Sequence, residues 1–256
     1  MTPPADAAPA SALEVRGLRK AYNGFKAIDG VDFSIAAGSI SAIIGPNGAG
    51  KTTLFNLITG HAAADQGRVS FFGREVTGTA PHILCRFGMG RSFQRTNVFR
   101  GLSVFENVQA AFISHRGMAW KLVRRSAGLF RAETDAVLAS VGLSAKGEWL
   151  AGTLSHGDQK QLELGITLAL EPRMLLLDEP TAGMSATETR MCMELIRRIA
   201  RERSLTLLFT EHDMGFVFAI ADRILVLHQG SLLADGAPEQ IRAAPEVRRV
   251  YLGESR

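Results

Sequence analysis

The sequence predicts an α/β domain whose parallel strands carry a phosphate-binding loop. Three observations predict it. The apolar run Ile40, Ala42, Ile43, Ile44 ends at Gly45, and past a glycine turn Lys51–Ile58 offers Leu54, Phe55, Leu57 and Ile58 for helix packing. A second all-apolar run, 174–177, ends in the acids Asp178 and Glu179. From Gln159 the chain alternates between helical and strand patterns. All-apolar runs suit parallel strands covered on both faces. Open α/β sheets bind ligands at the carboxyl ends of such strands.

Residues 1–11 are rich in Pro and Ala and have no basic segment ahead of an apolar stretch. They read as a disordered tail rather than a signal peptide. Residues 12–95 read as strands around the 51–58 helix. Residues 96–159 lose strand character and read as a helical insertion, clearest over 104–113 and 133–141. Residues 160–253 return to the α/β pattern. There, 224–227 and 232–234 flank His228-Gln229-Gly230-Ser231, which suits a hairpin. Pro238–Ala243 and 247–252 read as closing helices. There is no internal repeat, so one domain over 12–253 with an insertion is expected.

The 256 residues are 46% hydrophobic, enough for one large core. No apolar run is long enough to span a bilayer, and the chain is expected in the cytosol. Cys85 and Cys192 stand apart without metal-ligand spacing, and read as reduced packing thiols. A net charge of +4 does not call for nucleic acid. Arg116, Lys121, Arg124, Arg125 and Arg131 form a local basic run with Trp120, Leu122 and Val123 among them. It reads either as a solvated helix face or as a segment lying near anionic lipid.

The chemistry sits in five segments that recur in one order. Gly45-Pro46-Asn47-Gly48-Ala49-Gly50-Lys51-Thr52-Thr53 fits the P-loop pattern, in its required setting of strand, glycine turn and helix. Gly45, Gly48 and Gly50 allow backbone conformations closed to residues with a Cβ. Successive N–H groups can then curl around phosphates, helped by the helix N-terminus. Lys51 would reach the β- and γ-phosphates of a nucleotide and Thr52 would ligate Mg²⁺. Thr53 starts the helix.

Asp178, ending the second apolar run, would hold Mg²⁺ directly or through water. Glu179 would deprotonate the attacking water as general base. The remaining segments are Gln94 in Ser92-Phe93-Gln94, Leu154-Ser155-His156-Gly157-Asp158-Gln159, and Thr210-Glu211-His212-Asp213 after the apolar run 205–210. Ser155 can cap a helix running on to Ala169, with Asp158 at the capping-box spacing.

With these segments in this order the sequence resembles the ATP-binding cassette (ABC) ATPases over residues 12–253. The resemblance implies a P-loop NTPase (RecA-like) core with an antiparallel β subdomain and an inserted α-helical subdomain, binding ATP with Mg²⁺. It implies that Tyr22 stacks on adenine. Gln94 senses Mg²⁺ and links the site to the helical region, and His212 contacts the γ-phosphate. In the family the Leu154 segment reads Leu-Ser-Gly-Gly-Gln, and its helix faces ATP bound by the opposite subunit. Here Ser155 and Gly157 are kept while His156 stands at the third position. Ser185 stands where the loop after Asp-Glu-Pro commonly has Asp.

The finer resemblance is to importer ATPases of the branched-chain amino-acid class, with relatives for urea and short amides. It rests on 88–94 with Val98-Phe99 and 102–108, on Gly157-Asp158-Gln159, on Ala182-Gly183-Met184, on Glu211-His212-Asp213-Met214 and on the ending Tyr251-Leu252-Gly253-Glu254. His156 and Met184 lean toward the urea branch. The lipopolysaccharide-export ATPase shares that ending but fits less well at Arg91-Ser92-Phe93. The implied partners are a second ATPase subunit, identical or related, two transmembrane permease subunits and, indirectly, a periplasmic or extracellular solute-binding protein. The chain would then sit on the inner face of the membrane through the permeases. Phe99 and Leu102 are expected at the permease contact, and Val104 in the core. A soluble ABC protein acting on nucleic acid would need two cassettes or a long coiled coil. A switch without hydrolysis would not need both Glu179 and His212.

Overall fold

The computed structural model describes residues 11–92, 98–118 and 128–250. Two sheets organise it. The first is antiparallel, in the order β2-β1-β4-β5, from β1 (Ser11–Tyr22), β2 (Phe25–Ala36), β4 (Gln66–Phe71) and β5 (Arg74–Glu75). The second runs β10-β9-β3-β8-β7-β6. It comprises β3 (Ile40–Ile44), β6 (Met89–Ser92), β7 (Met174–Asp178), β8 (Thr206–Thr210), β9 (Arg223–His228) and β10 (Ser231–Gly236). Within it β9, β3, β8, β7 and β6 are parallel, and β10 returns antiparallel on β9.

Both faces of the parallel sheet are covered, which is why its central strands β3, β7 and β8 are mostly apolar and buried along their whole length. Side chains alternate between faces. Ile40, Ala42 and Ile44 of β3, Leu175 and Leu177 of β7, and Leu207 and Phe209 of β8 enter one core. Ile43, Met174, Leu176 and Leu208 enter the other, shared with the antiparallel sheet and α1 (Lys51–Ile58). The first core also takes Val104 and Val108 of α3 (Val104–His115), Val137 and Leu138 of α4 (Arg131–Ser140), and Leu164 of α5 (His156–Leu168). The helical insertion therefore shares its core with one face of the sheet.

The helices begin where local chemistry predicts. Ser103 and Glu106 form a reciprocal capping box on α3. Asp213 caps α7 (Met214–Ile220), and Ser185 with Glu188 boxes the start of α6 (Ala186–Glu202). Ser155 caps α5 by accepting from the N–H of Asp158. Asp158 does not complete a box: its carboxylate accepts from the Ser155 hydroxyl at 2.7 Å and from Lys146 Nζ at 2.6 Å. Pro81 opens α2 (Pro81–Arg86), and α8 (Pro238–Ala243) and α9 (Pro245–Val250) close the described residues. The expected hairpin turns through Gln229 and Gly230, at φ 47° and 77°. Two positive φ values in a two-residue turn match the twist of the flanking strands.

Three boundaries differ from the sequence reading. β1 includes Ser11, which pairs with Ala36 and so belongs to the sheet. The 12–95 stretch contains the helix α2 as well as strands. The division at 159/160 falls inside α5, whose Gly165 faces Val108, Val137 and Val141. That packing unites the whole of α5 with the helical insertion. Gln94, most of the basic run and the 251–254 ending lie outside the described residues.

Candidate nucleotide site

The loop between β3 and α1 takes its shape from two glycines with close backbone neighbours. A Cβ on Gly45 would sit 2.1 Å from the Leu227 carbonyl oxygen. One on Gly50 would sit 2.6 Å from the Ala27 carbonyl oxygen, and Gly50 is left-handed at φ 106°. Gly50 caps α1 without a side-chain hydrogen bond. The first N–H groups of the helix therefore lack a side-chain partner and face an anion-binding position. Lys51 is buried, and its Nζ donates to the carbonyls of Gly45 at 2.7 Å and Pro46 at 3.1 Å. Burial pulls the Lys51 ammonium below the usual lysine range, while the charges of Glu179 and Asp178 oppose that shift. The two acids are thus within electrostatic reach of the lysine.

An open cleft is lined by Tyr22, Phe25, Asn47 through Thr53 and Glu179. Tyr22 and Phe25 are exposed and pair across the turn Asn23-Gly24, both at positive φ. Two aromatic rings therefore flank the phosphate loop, where the sequence points to Tyr22 alone. The Asn-Gly pair between them is the available signal for the second, since it makes a tight hairpin. A flat aromatic face binds bases with little discrimination.

Asp178 and Glu179 stand at the carboxyl end of β7. Asp178 is 3% exposed. Its Oδ1 accepts from Thr210 Oγ1 at 2.8 Å, and its buried Oδ2 has no hydrogen-bond donor but lies 3.5 Å from Arg91 Nη2. Arg91 also donates to Asn56 and Thr59, both at 2.8 Å. Burial pulls the Arg91 guanidinium down, and Asp178 opposes that. Glu179 is left-handed at φ 50°, its N–H held by Thr210 Oγ1 at 3.0 Å. His212 Nε2 lies 2.7 Å from Glu179 Oε1. Arg91 and Thr210 receive no role from the sequence, because each meets Asp178 only through the sheet.

Ser155 and Gly157 do not line this cleft among the described residues. They sit at the start of α5, where His156 Nε2 is 3.4 Å from the Ala182 carbonyl oxygen. Of the departures from the family pattern, His156, Asp158 at the fifth position of that segment, and the loop ending at Ser185, the first and last are therefore neighbours. β6 ends at Ser92, opposite Leu177 of β7.

Comparison with known proteins gives the family and the fold. A family model described as ABC transporter matches residues 28–182, and one described as branched-chain amino acid ATP-binding cassette transporter matches 231–256. The chain is similar to the high-affinity branched-chain amino acid transport ATP-binding protein BraF of Pseudomonas aeruginosa, 39% identical over 95% of this chain and 98% of that one. It is similar to LivG of Escherichia coli, likewise a high-affinity branched-chain amino acid transport ATP-binding protein, at 36% over 95% and 98%. Among solved structures, the ADP conformation of MJ1267, an ATP-binding cassette of an ABC transporter, superposes with a TM-score of 0.84. It is 30% identical, with 95% of this chain and 99% of that one covered.

Proposed function

This chain belongs to the ABC transporter family as an ATP-binding, ATP-hydrolysing subunit, and from that premise we propose that it powers an importer for branched-chain amino acids or related small polar solutes such as urea and amides. The observation that carries the solute class is the match over 231–256 to the family model of branched-chain amino acid cassettes. It is supported by the similarity to BraF and LivG over nearly the full length.

In this reading ATP lies in the cleft, its base against Tyr22 and Phe25 and its phosphates on the backbone N–H groups of 47–53. Lys51 gives up its two carbonyl contacts for the β- and γ-phosphates. Mg²⁺ fits the donor set present: Asp178 Oδ2 is a buried carboxylate oxygen without a hydrogen-bond donor, and the Thr52 hydroxyl stands at the head of α1. Gln94, outside the described residues, is the further ligand that the family resemblance implies. The metal, when bound, neutralises phosphate charge. Glu179 accepts the proton of the attacking water, and His212 orients Glu179 and reaches the γ-phosphate. A second subunit offers Ser155 and Gly157 to the same phosphate, so closure needs two subunits.

Among the described residues no helix is long and apolar enough to cross a membrane. In this reading two permease subunits, as partners of an importer ATPase, hold the chain at the membrane. The exposed Phe99, Leu102, Trp149 and Leu150 form their docking surface, backed by the backbone pairing of Ser103 with Leu150. Exposed apolar clusters of this kind mark partner sites.

Co-expression with the neighbouring permease pair tests the reading. A complex that takes up leucine or urea into vesicles on ATP addition is expected. Absence of a co-purifying permease, or uptake indifferent to both solute types, would overturn it.

A further inference from the structure

We propose that Glu211 is the positioning residue that keeps Glu179 and His212 in contact, a proposal that rests on the hydrolytic reading above. The two partners come from the ends of different strands. Glu179 follows β7, and His212 follows β8, which is hydrogen-bonded beside it. Both side chains are partly exposed, 25% for Glu179 and 48% for His212. Long side chains in such a setting sample several rotamers, so their 2.7 Å contact depends on where their backbones are held.

Glu211 supplies that hold. It is only 5% exposed. Its Oε1 accepts from Thr181 twice, from the backbone N–H at 3.1 Å and from Oγ1 at 2.5 Å. Its Oε2 accepts from the N–H of His212 at 3.2 Å. Thr181 lies in the turn that Glu179 opens, where the Ala182 N–H bonds the Glu179 carbonyl at 3.1 Å. The contacts close a ring through Glu179, Thr181, Glu211 and His212. A carboxylate is acceptor-only, so it can take all three donors. A glutamine at this position would turn an N–H₂ toward one of those donors.

The test is Glu211→Gln, alone and in a His212→Ala background, with ATP turnover and nucleotide affinity measured separately. Turnover should fall about tenfold while the nucleotide Kd stays within about twofold, the pattern of a lost transition-state arrangement. In the His212→Ala background the same change should cost less than about twofold, because the contact it maintains is already gone. Parent-like turnover, a parallel loss of nucleotide affinity, or full additivity with His212→Ala would overturn the proposal. Thr181→Val removes only the hydroxyl arm. If Glu211→Gln does not fold, that variant faces the same three criteria. Glu179→Gln run alongside separates the two levels: unimpaired turnover there refutes the hydrolytic reading. Impaired turnover there with a normal Glu211→Gln refutes only the role of Glu211.

Discussion

Glu179 meets His212 at 2.7 Å while its own backbone is held at φ 50°, a region that residues with a Cβ seldom enter. Thr210 holds its N–H directly, beside the brace that Glu211 gives to Thr181 and His212. The Glu179 N–H bonds both the Thr210 carbonyl, at 3.2 Å, and its hydroxyl, at 3.0 Å. The same hydroxyl donates to Asp178 Oδ1. One threonine thus sets the direction of both acids.

Glu179→Gln preserves shape and removes the base. It should bind ATP and Mg²⁺ as the parent does, but turn over at least about a hundredfold more slowly, the scale of a lost general base. ATP should then leave it as a dimer on size exclusion. Turnover within a factor of about two of the parent would remove Glu179 from that role.

Gly50→Ala should abolish nucleotide binding. Its Cβ would sit 2.6 Å from the Ala27 carbonyl oxygen, a contact that neither strand nor loop can relieve cheaply. Gly48→Ala is the control. It has open space around it at φ 79°, so it should bear only the left-handed strain of about 1–2 kcal/mol. Fluorescent-nucleotide titration and thermal melts of the two variants check the contrast. Equal affinity for both would show that the loop is not held by these backbone approaches.

Phe99 and Leu102 are exposed, while Val104, two residues beyond, is fully buried. Replacing Phe99 and Leu102 with Ser should leave the melting temperature and basal ATPase of the isolated subunit near those of the parent. Assembly with the permease should weaken and transport should stop. Cooperative destabilisation of the double variant would place the two residues in the core instead. Full transport would remove them from the docking surface.

Burial pushes the Cys192 thiol up to about 11, with the Glu211 charge adding to the shift. Burial also raises Cys85. Thiolate is the reactive form. At pH 8 the native protein should therefore react slowly with a thiol-specific disulfide reagent, and both thiols should react at once in denaturant. Fast labelling of Cys192 in the native protein would contradict its buried placement; the half-buried Cys85 should react first.

The phosphate loop is legible in the sequence because its chemistry is local. Gly45, Gly50 and Lys51 act on atoms a few residues away, and the apolar strands announce their two covered faces directly. Phe25 is less legible: its pairing with Tyr22 follows from Asn23-Gly24, but nothing in the string says that both rings turn toward Asn47. Arg91 and Glu211 lie within motifs whose pattern gives them no role. Their partners, Asp178 and Thr181, are brought near only by the order of strands in the sheet. The division read at 159/160 falls inside α5 because the helix opens on the polar run 156–161 and turns apolar only from Leu162, so the change of composition lies within one element.

The segment carrying Phe99 and Leu102 is laced to the stretch before α5. The Ala151 N–H bonds the Leu102 carbonyl at 2.9 Å, and the Gly152 N–H bonds the Arg100 carbonyl at 3.1 Å. Ser155 follows only four residues after Ala151. So short a tether has almost no slack. Whatever rocks the apolar patch sideways must drag the serine cap with it, and whatever draws the cap inward must pull on the patch. The molecule thus holds a stiff two-armed lever, with one arm ending in hydrocarbon and the other in a hydroxyl.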